Sequence, residues 1–257
     1  MTYEHITVAR DGAYATVTMN RPERRNALSL AHMQELTHAF RHIGQTDALG
    51  ITVAGNGPVF CAGHDFADML GASLKDLRGL LRQCVEMMDA IQSVPQVVIA
   101  QVHGLATAAG CQLVATCDLA VAADTAGFAL PGGKGGWFCH TPLVALGRSV
   151  GRKRALEMAF TGEPISAATA LDWGLLNRVV APAQLAQETR ALLNSATRSP
   201  AFAKGMGKQC FYAQIDLDQA KAYGHAVEVM AATGVMPDAQ ERMRAFVDKR
   251  KPSYANK

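Results

Sequence analysis

Residues 97–122, VVIAQVHGLATAAGCQLVATCDLAVA, decide the fold. Val97-Val98-Ile99-Ala100 is the most strand-like run in the chain, bounded by Pro95 before it and Gly104 after it. A helix rich in small residues is predicted around 107–117, and a second strand near 119–122. Working upstream, Ile51-Thr52-Val53 reads as another short strand. The turn-rich AGNGPVFCAGHD follows it, and then a helix carrying Leu77, Leu80, Leu81, Cys84, Val85, Met88 and Ile91 on its apolar face. Strand, helical crossover of roughly twenty residues and strand make a βαβ unit, which implies right-handed parallel pairing.

Closer to the start, residues 5–9 and 13–19 flank Asp11-Gly12, the signature of a hairpin between half-buried strands. Ser29 can cap the next helix, where Leu30, Met33, Leu36, Phe40 and Ile43 fall on one face. A brief strand is predicted at 128–130, followed by the Gly-rich loop PGGKGGWFCH, and from about residue 142 the signals are helical. The last third reads as three helices punctuated by Pro200, Asp216 and Pro237. The expected architecture is an α/β body over residues 1–195 with a helical extension over 196–257.

Composition narrows the function. With 49% apolar and 18% charged residues, the 257-residue chain has material for a substantial core. Its surplus of +3 is too small and scattered for a nucleic-acid footprint. No window approaches the roughly 18 consecutive apolar residues of a membrane span. The first thirty residues lack both an uninterrupted apolar run and a transit pattern, so a cytoplasmic location is expected. Six dispersed cysteines without CxxC spacing read as buried reduced thiols, with no metal site expected.

Two segments could converge on one ligand. Val59 to Phe66 lies at the C-terminal end of a strand, where ligands of α/β proteins collect, and Gly63 lets the backbone come close. His103 to Gln112 opens a helix whose first N–H groups have no intrahelical partner. Together they could present two N–H donors to a developing oxyanion. Close packing of small residues is the competing explanation.

The ordered set RPERRNAL, VFCAGHDF, HGLATAAGCQLVATCDLAVA, FTGEPISAATALDWGLLNRVV and FVDKRK resembles the enoyl-CoA hydratase/isomerase (crotonase) family over most of the chain. The likeness is closest to one branch of it, in GLATAAGCQLVATCDLAVA and WFCHTP. The resemblance implies a crotonase-type spiral of ββα units, with a helical C-terminal trimerisation region and a homotrimer or dimer of trimers. It implies an acyl-CoA or enoyl-CoA ligand, with no separate cofactor, because CoA enters as part of the thioester substrate. The residue after Gly in the family's AGxD pattern supplies one oxyanion N–H, here His64, and the helix start supplies the other, here Ala109. Arg24, Arg25, Ala27, Ala62, Asp65 and Phe66 match positions along the CoA path, and Lys249, Arg250 and Lys251 could reach a phosphate. Ala67 stands where many hydratases carry Lys.

The pattern departs from the family at both hydratase glutamates, whose positions hold Gln112 and Gly132. An amide cannot accept a proton near neutral pH and glycine has no side chain, so two-carboxylate acid/base catalysis is absent. His140 is the leading substitute acid/base, since imidazole titrates in the useful range. Gln112 could still orient a water or polar acyl group, and Trp137 and Phe138 could shape an acyl pocket. Cys139 has no evident partner to activate it as a nucleophile. Two readings follow: an enzyme acting on an acyl-CoA with weak or altered hydratase activity, and a non-catalytic acyl-CoA binder or carrier.

Overall fold

The computed structural model describes residues 2–198 and 200–254. The expected hairpin forms from β1 (Ile6–Asp11) and β2 (Tyr14–Met19), paired antiparallel around Gly12, whose φ of 56° suits the turn. Next comes α1 (Leu30–Gly44). The Ser29 hydroxyl accepts from the His32 N–H at 3.2 Å and starts it, and Met33, Leu36, Phe40 and Ile43 are buried. Three consecutive passes follow, each made of two strands and a helix. They are β3 (Gly50–Gly55), β4 (Val59–Cys61) and α2 (Leu74–Ser93); β5 (Val97–Val102), β6 (Leu105–Thr107) and α3 (Ala109–Thr116); and β7 (Leu119–Ala123), β8 (Gly127–Ala129) and α4 (His140–Ser149).

The first strand of each pass joins one sheet and the second joins another. The larger sheet has the order β1-β2-β3-β5-β7-β10, parallel from β2 onward, and the smaller has the order β4-β6-β8-β9. This is the expected spiral of ββα units, and the predicted βαβ unit holds, with Ile51 opposite Val98 in parallel register. β3 and β5 read as continuous apolar runs because both faces are covered.

The rest of the body is α5 (Arg152–Thr161), β9 (Ile165–Ser166), α6 (Ala167–Asp172), β10 (Arg178–Val180) and α7 (Leu185–Ala196). Three points correct the sequence reading. The predicted helix at 107–117 begins later, because Leu105–Thr107 is a strand pairing with both β4 and β8. The supposedly all-helical region contains β9 and β10, two and three residues long and held by long-range pairing alone. In α2, Val85 is exposed and Leu77 and Leu81 are half-buried, since that stripe borders a groove rather than the core.

The C-terminal helices are α8 (Ala201–Gln214), α9 (Gln219–Gly234) and α10 (Pro237–Val247). A polar clamp ties α8 to the body. The Lys208 ammonium lies 2.7 Å from the Asp118 carboxylate and donates to the carbonyls of Ile91 and Gln96. The Asp118 carboxylate also accepts from the Tyr212 hydroxyl and the Val98 N–H. By contrast, α9 buries no residue and α10 buries only Ala245. No helix among the described residues is long and apolar enough to cross a membrane.

Candidate active site

The site forms where the ends of β4 and β6 lie side by side. Beyond Cys61 the chain turns through Gly63, whose φ is 88°. The Leu28 N–H donates to the Gly63 carbonyl at 2.7 Å, and the Asp65 N–H to the Leu28 carbonyl at 3.1 Å. That pairing brackets His64, so its own N–H faces the other way. Across from it, the Ala108 N–H donates to the Ala129 carbonyl at 2.9 Å while Ala108 itself adopts φ 49° and ψ −118°. This conformation is costly for any residue with a side chain, and it sets Ala109 as the first residue of α3. Among the described residues neither the His64 N–H nor the Ala109 N–H has an acceptor.

The two loops touch. A Cβ on Gly63 would sit 2.9 Å from the Ala108 methyl carbon and 3.3 Å from the Ala109 nitrogen, and one on Gly110 only 2.3 Å from the Cys61 carbonyl oxygen. Glycine at both positions is what lets α3 start against β4. The Thr107 hydroxyl adds a hydrogen bond to the Ala62 carbonyl at 2.9 Å.

A cavity of about 400 Å³ opens over this junction. Ala62, His64, Phe66, Ala109, Gly132 and His140 all lie on its wall, with Leu81, Trp137, Phe138 and Cys139. Phe66 and Trp137 meet edge to face at 6.4 Å and both are exposed, an apolar lip at the entrance. A largely apolar hollow with two unpaired N–H groups can receive the carbonyl of an otherwise apolar group.

The two former carboxylate positions behave differently. Gln112 is buried, lies on the wall of a neighbouring cavity of about 500 Å³ between α2, α3, α4 and α8, and has a side-chain oxygen without a partner. Thr141 lines both cavities, so the two adjoin, with Gln112 on the wall of the second. Gly132 does line the first cavity, but the loop folds back on it: the Trp137 N–H donates to its carbonyl at 3.1 Å. A Cβ there would lie 2.2 Å from the Trp137 carbonyl oxygen and 2.8 Å from the Cys139 sulfur. The backbone has taken the place of the side chain.

The remaining polar groups are mostly committed. Burial would raise the Asp65 carboxyl, but the Ala67 N–H and the guanidinium groups of Arg24 and Arg21 outweigh it and hold it below its ordinary value. Arg24 is thus spent on Asp65. Arg25 and Ala27 sit on the adjoining segment, joined to the cavity edge by the Ala62 N–H donating to the Arg25 carbonyl. Lys249 lies beyond α10 and does not border the cavity. Burial pushes the Cys139 thiol up, only partly opposed by a hydrogen bond to Gly132, so it is a poor thiolate. His140 is exposed beside Phe138, their rings 5.5 Å apart.

His64 is different. Burial lowers its pKa, the nearby Leu28 backbone opposing this without a hydrogen bond of good geometry, and both ring nitrogens are shielded and unpartnered. Sequence reasoning valued this residue for its N–H alone. It also missed Asn26, buried at φ 52°, whose amide donates to the carbonyls of Asn56, Val59 and Phe60 and whose oxygen accepts from the Arg21 N–H. Asn26 fixes the loop before α1 against β4; the Arg-Asn-Ala run was the available signal.

The model of the enoyl-CoA hydratase/isomerase family matches residues 10–257. The mitochondrial enoyl-CoA hydratase domain-containing protein 3 of rat is 43% identical over 93% of this chain and 81% of its own length, and that of human 42% over 93% and 80%. Among solved structures, an enoyl-CoA hydratase of Mycobacterium smegmatis superposes with a TM-score of 0.95 at 45% identity, covering 98% of this chain and 99% of its own. Human enoyl Coenzyme A hydratase domain-containing protein 3 gives 0.91 at 40% identity, covering 98% and 100%. The branch resemblance seen in GLATAAGCQLVATCDLAVA is therefore upheld. The cytoplasmic expectation is overturned: the vertebrate relatives are named mitochondrial, and residue patterning that serves a folded hairpin carries no cellular address.

Proposed function

The chain belongs to the enoyl-CoA hydratase/isomerase family, and on that premise we propose that it binds an acyl-CoA thioester and polarises its carbonyl between the N–H groups of His64 and Ala109. The observation that carries this reading is the pair of unpaired N–H groups at the touching ends of two loops, over an apolar cavity. Donors fixed before the ligand arrives need no reorganisation when charge develops on the oxygen, an effect worth about 10²–10³-fold in rate per donor. Ala62, Phe66, Arg25 and Ala27 are assigned to the CoA path, Asp65 with its partner Arg24 holds the loop beside it, and Lys249, away from the cavity, is assigned to a CoA phosphate. CoA arrives as part of the substrate.

Isotope-edited infrared spectroscopy of butyryl-CoA labelled at the carbonyl tests the reading directly. The bound thioester band should move to lower frequency. An unshifted band at saturation would refute the polarising site.

A second reading, a binder or carrier without hydratase turnover, is favoured by Gly132, where backbone fills the glutamate's place, and by Gln112, whose amide cannot accept a proton near neutral pH. It predicts the infrared shift with no hydration of crotonyl-CoA. We further propose residues 196–257 as the segment that joins copies into a trimer or dimer of trimers. Supporting this, Val227, Met230, Phe246 and Val247 on α9 and α10 are all more than half exposed. Sedimentation equilibrium giving a monomer would exclude it.

A further inference from the structure

Helix α2 has two apolar faces, and the core covers only one of them. Leu80, Cys84, Met87 and Ile91 are buried. By helical periodicity, Leu74, Leu77, Leu81 and Val85 form a second stripe roughly 100° round the helix from the first. Leu74 is 70% exposed and Val85 43%, and Leu77 and Leu81 are half-buried. A contiguous apolar stripe left open to water marks a surface that a ligand or partner covers. Resting on the thioester reading above, we infer that this stripe is the bed of the acyl chain, and that the site takes a long fatty acyl group in preference to a short one.

The stripe and the site share walls. A groove of about 400 Å³ runs along α2, lined by Leu74, Leu77, Arg78, Arg82 and Val85. Its remaining walls are Leu81, Trp137 and Thr141, and these three also line the cavity over His64 and Ala109, so the two hollows adjoin. The CoA path of the reading above runs by Ala62 and Phe66, which leaves the Leu81 and Thr141 side for the acyl chain. Another exit leads by Thr141 into the cavity that Gln112 lines, but Asp89, Asp118, Arg148 and Asp216 line it too, and burying charge against methylenes is unfavourable. The groove's own charges, Arg78 and Arg82, are exposed, so their stems can lie along a chain while the guanidinium groups stay in water.

The dimensions set a chain length. From Leu81 to Leu74 the helix rises about 10 Å, room for about eight methylenes at ~1.3 Å each, so with the first few carbons in the cavity the bed suits a chain of about twelve carbons. Full burial strengthens binding about fourfold per methylene, and a groove open on one side captures about half of that free energy, or about twofold per methylene.

The test is equilibrium binding of butyryl-, octanoyl- and dodecanoyl-CoA, each below its micellar concentration, beside the carbonyl infrared shift. Kd should fall about 10²-fold from butyryl to dodecanoyl. Leu74→Gln combined with Leu77→Gln changes only groove residues outside the buried core, so the fold should persist. This variant should cut the gain to about tenfold or less, while bound butyryl-CoA shifts its carbonyl band as in wild type. Equal affinity at all three lengths, with the band shifted, would overturn this inference and leave the thioester reading standing. An unshifted band at saturation would instead refute that reading, and the inference with it. A full gain in the double variant would place the chain elsewhere, and the same result with assembly lost in sedimentation would give the stripe to a second copy; either overturns the assignment.

Discussion

Restoring the two missing carboxylates should not make this protein a hydratase, and the reason is measurable at Gly132. A Cβ there would lie 2.2 Å from the Trp137 carbonyl oxygen, 2.8 Å from the Cys139 sulfur and 3.0 Å from the Cys139 nitrogen. Two of the three are backbone atoms, so no rotamer relieves the clash. The loop must retreat by about 0.8 Å to reach the closest contact a real Cβ makes, in an interior packed to crystal density. Overpacking of this kind costs about 1–3 kcal/mol. Weakening the Trp137 to Gly132 hydrogen bond adds about 0.5–1.5 kcal/mol. Gly132→Ala should therefore lose about 1.5–4.5 kcal/mol in urea unfolding, with the melting temperature falling about 2–4 °C for each kcal/mol. Gly132→Glu should be no better, because the conflict is already complete at the first carbon. Gln112→Glu would add its carboxylate to the wall of the second cavity, which Asp118 also lines. The double variant should then fail to hydrate crotonyl-CoA, followed optically. Gly132→Ala within 0.5 kcal/mol of wild type, an effect in the range of ordinary surface changes, or brisk hydration by the double variant, would refute the reasoning.

Lys208 and Asp118 make a mostly buried pair in which burial lowers the lysine and raises the aspartate, each opposed by the other's charge. Lys208→Ala should cost about 3–5 kcal/mol, and Lys208→Met combined with Asp118→Asn should recover much of it, both read by urea unfolding. Asp65→Asn should destabilise at neutral pH by releasing Arg21 and Arg24. Folding lowers the Asp65 pKa. The wild type's advantage is therefore complete above the unfolded value of about 3.9 and vanishes as pH falls through the folded value, so the two stability curves should converge in acid.

The elements legible in the sequence are those whose signals are local. The Asp11-Gly12 turn, the Ser29 cap and the apolar runs of β3 and β5 each carry their own evidence within a few residues. β6 and β9 do not. Three residues, Leu-Ala-Thr, and two, Ile-Ser, become strands because distant β4 and β8 supply their partners, and no short window contains that information. At the site, the ordered motifs were enough to bring His64 and Ala109 to one cavity. They did not reveal which way Gln112 would face, since the rotational phase of α3 is fixed by Ala108 at its start and by Gly110 against Cys61. Nor did they show that the loop after Pro131 closes over Gly132, which depends on how Trp137 packs back.

Ala108 and Gly63 meet methyl to hydrogen, with room for one methyl between the two loops. The spacing of the two donors is thus gauged by a single carbon atom that belongs to neither of them. An Ala108→Gly change would relieve the backbone and remove that spacer at once, giving the protein a tuning point for its grip on an oxygen without alteration of any hydrogen-bonding group.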